Sequence, residues 1–247
     1  MGVLEGLKPE RVFYYFEEIC KIPHGSYNVK AISDYCVSVA QSLNLEVRQD
    51  EEYNVVIRKA ASEGYGEAPV LMLQGHLDMV CVKDAGVDFD FEKDALKLYI
   101  EDGFLKARGT TLGADDGVGV AYMLALLSDP DAKHPPLECV FTVQEEVGLF
   151  GAMALKKEYF QAKRMINLDD GGENATCTTS AGGVNVIMQK ERILVPHDGN
   201  GYQIDVFGLH GGHSGGEIDK EHGNANKLLA RVLFTLNRRY GVQLSWI

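Results

Sequence analysis

The sequence predicts an α/β fold, a mixed and largely parallel sheet with flanking helices, followed by a smaller α+β unit. Three observations carry that prediction. The apolar runs Val70 to Leu73, Val140 to Val143 and Met165 to Leu168 are short and continuous, the pattern of central strands covered on both faces. Helical spacing of apolar residues fills the stretches before and between them. Each run ends at once in a polar cluster, as strands do where an α/β sheet presents its ligand sites.

In chain order, Val12, Phe13, Phe16, Ile19 and Cys20 recur at helical spacing between Lys8 and Ile22, with Pro9 where a first-turn proline is tolerated. Ala31, Ile32, Tyr35 and Val39 predict a second helix reaching about Leu43. Leu45, Val47, Val55 and Ile57 alternate with polar residues, as strands do. Gly117 to Leu127 reads as a helix between the first two continuous runs, halted by Pro130. Beyond Gly182 and Gly183 the pattern shifts. Val184 to Met188 and Tyr202 to Phe207 read as strands, Asn224 to Tyr240 as a helix closed by Gly241, and Val242 to Ile247 as another strand. Two domains, residues 1–183 and 184–247, are therefore expected, the second incomplete because QLSWI is a strand pattern without a terminal turn.

Composition narrows the function classes. With 45% hydrophobic and 24% charged residues the chain is globular rather than disordered. A net charge of −12 with no lysine or arginine block argues against nucleic acid and membrane surfaces as partners. The N-terminal MGVLEGLKPERVFYYF lacks the basic and apolar regions of a leader, and no run of 18 apolar residues exists, so neither export nor membrane spanning is expected. Five cysteines, Cys20, Cys36, Cys81, Cys139 and Cys177, are odd in number and contain no C-x-x-C pair. They read as reduced thiols of a cytoplasmic protein rather than a disulfide framework or a thiolate zinc site.

The chemistry lies in the polar clusters. Gln74-Gly75-His76-Leu77-Asp78 follows a strand directly. Residues i and i+2 of extended chain share a face, so His76 can offer a ring nitrogen to a metal while Asp78 orients it from behind. In Thr110 to Gly117, opening a helix, two adjacent aspartates exceed what a cap needs: one of Asp115 and Asp116 can cap while the other bridges two cations. Gln144 to Gly148 holds two glutamates with diverging side chains, so one of Glu145 and Glu146 can bind metal and the other accept a proton. Asn167 to Gly172 adds Asp169 and Asp170 at a third strand end. Singly, each reads equally well as a turn histidine, a helix cap or a solvated acidic loop. Together, at consecutive element ends, they favour a dinuclear site of histidine and carboxylate ligands suited to zinc or manganese. Neither a G-x-x-x-x-G-K-[ST] loop nor an H-E-x-x-H helix is present.

GHLDMV (75–80), TTLGADDGVGVA (110–121), QEEVGLFGA (144–152), INLDD (166–170) and GLHGGHSGGEIDKEHGNANKLLAR (208–231) together resemble the aminoacyl-histidine dipeptidases. These form a branch of the M20-type dinuclear-zinc exopeptidases and deacylases that includes the carnosinases. The resemblance implies that His76 and Asp169 ligate one metal, Glu146 the other, and Asp115 both. It makes Glu145 the general base and Asp78 the carboxylate behind His76. His213 would come from a lid domain to hold the oxyanion, and a homodimer through that lid is implied. Two divalent ions follow, zinc first, with manganese or cobalt as alternatives. The implied substrates are small peptides, preferentially Xaa-His dipeptides including β-alanyl-histidine; the alternatives are another exopeptidase, an N-acyl amino-acid deacylase or a non-catalytic metal-binding module. Relatives often carry asparagine where this chain has Asp116.

The family also continues past the point where this chain stops, through the rest of the lid to a last histidine ligand for the metal held by Glu146. His197, His210 and His222 are poor replacements, since they fall in the lid-like segment. The polypeptide is thus expected to be an N-terminal portion of a dipeptidase, weakly active or inactive by itself, its second metal short of the three protein ligands usual at catalytic zinc.

Overall fold

Every residue of the strand Leu137–Thr142 is buried, and the main sheet is built outward from it. A computed structural model describes residues 2–171, 174–180, 182, 184, 186–191, 193, 196, 198–212 and 217–244. The strands are β1 (Glu46–Gln49), β2 (Val55–Lys59), β3 (Leu71–His76), β4 (Leu98–Glu101), β5 (Phe104–Ala107), β6 (Leu137–Thr142) and β7 (Arg164–Asn167). Five of them form the sheet, in the order β1-β2-β6-β3-β7. β1, β2 and β6 pair antiparallel, whereas β3 runs parallel to both β6 and β7. The register sets His76 opposite Thr142 and Gln74 opposite Asn167, so the carboxyl ends of three strands open on the same edge.

The helices are α1 (Glu10–Cys20), α2 (Lys30–Ser42), α3 (Ala114–Ser128), α4 (Phe150–Ala154) and α5 (Ala225–Tyr240). Tyr15, Phe16, Ile19 and Cys20 form the buried stripe of α1, which packs against α3. Ile32, Ser33, Cys36 and Ala40 play that part in α2, which covers β1 and β2. α3 is apolar nearly all round, with Val120, Ala121, Met123, Leu124, Ala125 and Leu127 buried, as a helix packed between α1 and β3 must be. These elements share one core with Val55, Ile57, Leu73, Cys139 and Phe141 of the sheet. The mixed α/β sheet and its flanking helices are those the sequence predicts.

Contact between residues divides the chain into two units, Met1–Thr179 and Ser180–Ile247. In the second, α5 begins at Asn224, whose side chain accepts a hydrogen bond from the Lys227 N–H, and ends at Gly241 in the left-handed conformation, as expected.

Three expectations are corrected. The run Met165 to Leu168 is not a strand covered on both faces: β7 pairs with β3 alone at the sheet margin, and all four of its residues are exposed. An apolar run records the chance of burial but not the position of a strand in the sheet. The strands expected at 184–188, 202–207 and 242–247 are absent among the described residues, and 185 and 245–247 lie outside them. A strand exists only with a partner for its backbone groups. Val184, Ile187, Met188, Tyr202 and Phe207 are all highly exposed and lie in no ladder. The third correction is the β4–β5 hairpin, which lies outside the elements expected above. Its turn is Asp102-Gly103, both at positive φ, the dipeptide that closes a two-residue hairpin.

Phe141 is fully buried at the centre of the shared core. Phe141→Ala is expected to lower the free energy of urea unfolding of the chain by about 3–5 kcal/mol, with the loss read as a shift in midpoint at unchanged slope.

Candidate metal centre

The parallel strands deliver the polar clusters to one edge. His76 is the last residue of β3, Glu145 and Glu146 follow β6, Asp169 follows β7, and Asp115 stands in the first turn of α3. The His76 ring is buried, and its Nδ1 donates to the Asp78 main-chain carbonyl 2.8 Å away. That bond fixes the tautomer and turns an Nε2 lone pair toward the acids. Nε2 lies 3.0 Å from Asp115 Oδ1, 3.8 Å from Asp169 Oδ2 and 3.9 Å from Glu145 Oε2. A ring lone pair and a carboxylate oxygen so close repel unless a proton or a cation lies between them. Burial opposes the imidazolium, but Asp169, Asp78, Asp116 and the contact with Asp115 outweigh it and raise the His76 pKa.

Asp78 acts differently from the expectation drawn from spacing. Its carbonyl, not its carboxylate, holds the ring; Oδ1 is 3.7 Å from His76 Nδ1. The buried carboxylate instead accepts hydrogen bonds from the Glu145 N–H (3.0 Å), the Glu146 N–H (3.3 Å) and the Ser26 hydroxyl (2.8 Å). One residue thus fixes both the histidine and the loop carrying two acids. The loop is shaped to meet it. Gln144 adopts a left-handed φ of 58°, turning the chain sharply beyond β6, and its side chain accepts from the Tyr27 N–H at 2.8 Å. Buried Asn54 closes the loop's base, accepting from the Val143 N–H (3.2 Å) and donating to the Gly151 carbonyl (3.0 Å). Asp169 is set by the β3–β7 pairing, where Leu168 N–H reaches the Gln74 carbonyl at 2.8 Å.

The two aspartates take up different positions. Asp115 and Asp116 both depart from helical backbone, so regular winding begins after them. Asp116 is buried and accepts from the Gly119 N–H (3.2 Å), as a capping residue does, and from the His76 N–H (3.1 Å). It is packed against Gly75, where a Cβ would stand 2.2 Å from its Oδ2. Asp115 is turned outward, its carboxylate facing the His76 ring.

Ligand atoms of His76, Glu145 and Asp169 lie within 4.8 Å of one another, as do those of His76, Asp115 and Glu146. Among the described residues none of these carboxylates pairs with a lysine or arginine. Burial, joined by the neighbouring carboxylates and opposed by His76, raises the pKa values of Glu145, Glu146 and Asp169. One imidazole nitrogen amid four carboxylates without a cationic partner fits divalent zinc or manganese. Geometry does not choose between Glu145 and Glu146 as ligand or base, since each belongs to one set. His213 lies outside the described residues. Ser26 and Asn54 carry no motif that sequence spacing could single out, and Gln144, though inside the acidic cluster, has a role that spacing does not show. They act through hydrogen bonds to residues far along the chain.

Residues 72–225 match the family described as Peptidase family M20/M25/M40. The chain is 41% identical over 235 residues to the cytosol non-specific dipeptidase of Escherichia coli strain K12, covering 94% of this chain and 48% of that protein. Aminoacylhistidine dipeptidase from Vibrio alginolyticus has a similar structure, with a TM-score of 0.69, 31% identity and coverage of 96% of this chain and 49% of that one. A tripeptidase from Staphylococcus aureus follows at a TM-score of 0.57 and 27% identity, over 67% of this chain and 44% of that one. The chain spans about half the length of the curated relatives it matches. No helix among the described residues is long and apolar enough to cross a membrane.

Burial pushes the Asp116 carboxyl up to about 7 from its ordinary 3.8. The native state therefore holds a proton that the unfolded chain has lost, and stability falls as pH rises through that window. In metal-free protein the raised pKa values of Glu145, Glu146 and Asp169 act in the same direction. Urea unfolding in the presence of a chelator should show this decline between about pH 4 and pH 7. Asp116→Asn should flatten it; an unchanged slope would show that Asp116 titrates normally.

Proposed function

The chain belongs to peptidase family M20/M25/M40, and we propose that it carries out metal-dependent hydrolysis of dipeptides, with Xaa-His dipeptides such as β-alanyl-histidine among its substrates. The observation that carries this reading is the His76 Nε2 lone pair turned into four carboxylates at the carboxyl edge of a parallel sheet. The dipeptidase names of the Escherichia coli and Vibrio alginolyticus proteins support the substrate class. His76, Asp115 and Asp169 would hold one divalent ion, with Asp115 and Glu146 turned to a second; zinc is favoured, with manganese or cobalt as alternatives. When bound, such ions polarise a scissile carbonyl and lower the pKa of a water from 15.7 to about 7.

The remaining steps belong to the chain's own residues. Glu145 accepts the proton of the attacking water and delivers it to the leaving amine. Burial raises its pKa toward the working pH, which suits a group that must both take and give a proton. Asp78, through the Glu145 and Glu146 N–H groups, holds both glutamates against the edge while its carbonyl keeps His76 in the ligating tautomer. Binding and proton transfer therefore share one support.

Supplied with Zn2+ or Mn2+, a polypeptide in which this chain is continued to the full length of its relatives is expected to release free amino acids from a dipeptide panel that includes β-alanyl-histidine, and to lose that activity on chelation. Glu145→Gln is expected to lower kcat by about 10²–10⁴-fold. Bound metal, measured by emission spectroscopy, should be unchanged. Preferential cleavage of acylated amino acids would overturn the dipeptide assignment. Metal binding by the full-length polypeptide without turnover of any peptide would overturn the catalytic one.

A further inference from the structure

A different cluster of metal-ligating residues lies in the unit Ser180–Ile247. His210, Glu217 and His222 bring ligand atoms within 4.8 Å of one another, and none of the three belongs to the set around His76. The two imidazoles meet edge to face, with ring centroids 4.6 Å apart and planes at 79°. Together with Glu217 they line a cleft of about 620 Å³ that opens beside the start of α5.

Local structure holds Glu217 and His222 in place. The Glu217 carboxylate lies against Gly212, where a Cβ would fall 1.7 Å from its Oε2 and force the carboxylate to shift. Lys220 pairs with its other oxygen at 2.6 Å. His222 sits two residues before Asn224, whose side chain caps α5 through the Lys227 N–H at 3.0 Å and so fixes the turn that carries the histidine. The N-terminus of α5 presents positive partial charge, which by itself repels a cation. Glu217, Asp219 and Glu221 supply negative charge on the approaching segment. Two imidazoles and one carboxylate favour a borderline first-row ion over the hard cations that prefer oxygen ligands alone.

We propose that His210, Glu217 and His222 form a further metal site that takes Zn2+, with water completing the coordination. An ion there ties residues 209–212 to the beginning of α5, and its binding free energy adds to the stability of that segment.

Titration of the whole chain with Zn2+ against a chromophoric chelator tests this. The double variant His210→Ala/His222→Ala is expected to bind one equivalent fewer than the parent, with unchanged far-UV circular dichroism, since both histidines are exposed. Glu217→Gln, which keeps the size of the side chain, should weaken that equivalent by more than the roughly 10- to 100-fold that loss of a supporting residue costs. In the parent, the NMR signals of the two rings should shift together at the same equivalent of Zn2+. Equal stoichiometry in parent and double variant, or rings that do not respond to Zn2+, would overturn the proposal.

Discussion

The hydrogen bond from His76 Nδ1 to the Asp78 carbonyl is the contact on which the sheet edge depends. Without it the ring could rotate or exchange tautomers, and its second nitrogen would have no fixed direction. The same residue clamps the loop after β6 through its carboxylate, while Ser26 secures that carboxylate from the turn after α1. Three segments separated widely in sequence thus converge on Asp78. The parallel pairing of β3 with β6 and β7 makes this convergence reachable, because it ends all three strands at one edge.

A buried carboxylate elsewhere in this chain shows what the edge lacks. Glu138, on β6, is almost wholly buried, yet Arg58 Nε lies 2.9 Å from it and the N–H groups of Gln161 and Ala162 also donate to it. Its charge is answered from within the protein, as a buried ion must be. At the metal centre the carboxylates face one another and a single imidazole, and among the described residues no lysine or arginine joins them. Burial first, and then the crowding of like charges, raise the cost of ionisation, which the upward pKa values of Glu145, Glu146 and Asp169 express. A divalent cation would answer that charge from outside. Part of the net charge of −12 therefore has a local meaning.

Much of this was legible in sequence because it is written in local periodicity. The stripes of α1 and α2, the Gly241 stop of α5, and the polar clusters after the apolar runs all use signals a few residues long. What escaped depends on partners. Ser26 matters because Asp78 is 52 residues away, and Asn54 because it meets the loop at Val143 and Gly151. The exposure of β7 depends on its place in the strand order, and the strand patterns at 184–188 and 202–207 depend on partners absent among the described residues. The β4–β5 hairpin is a separate matter: its Asp-Gly turn was a local signal that could have been read.

The adjacent pair Asp115-Asp116 shows how one helix start can serve structure and chemistry at once. A single aspartate at this position would face incompatible demands. Capping requires its carboxylate to fold back on the third N–H of the helix, whereas reaching Nε2 requires it to point across the strand end. Departure from helical backbone at both residues separates the demands, sending Asp116 inward to the Gly119 and His76 N–H groups and Asp115 outward to the ring. The inward carboxylate also touches the backbone of the residue whose side chain the outward one faces. Winding of α3 and placement of His76 are consequently one mechanical unit, so the cap braces the histidine on which any cation at this edge would rest.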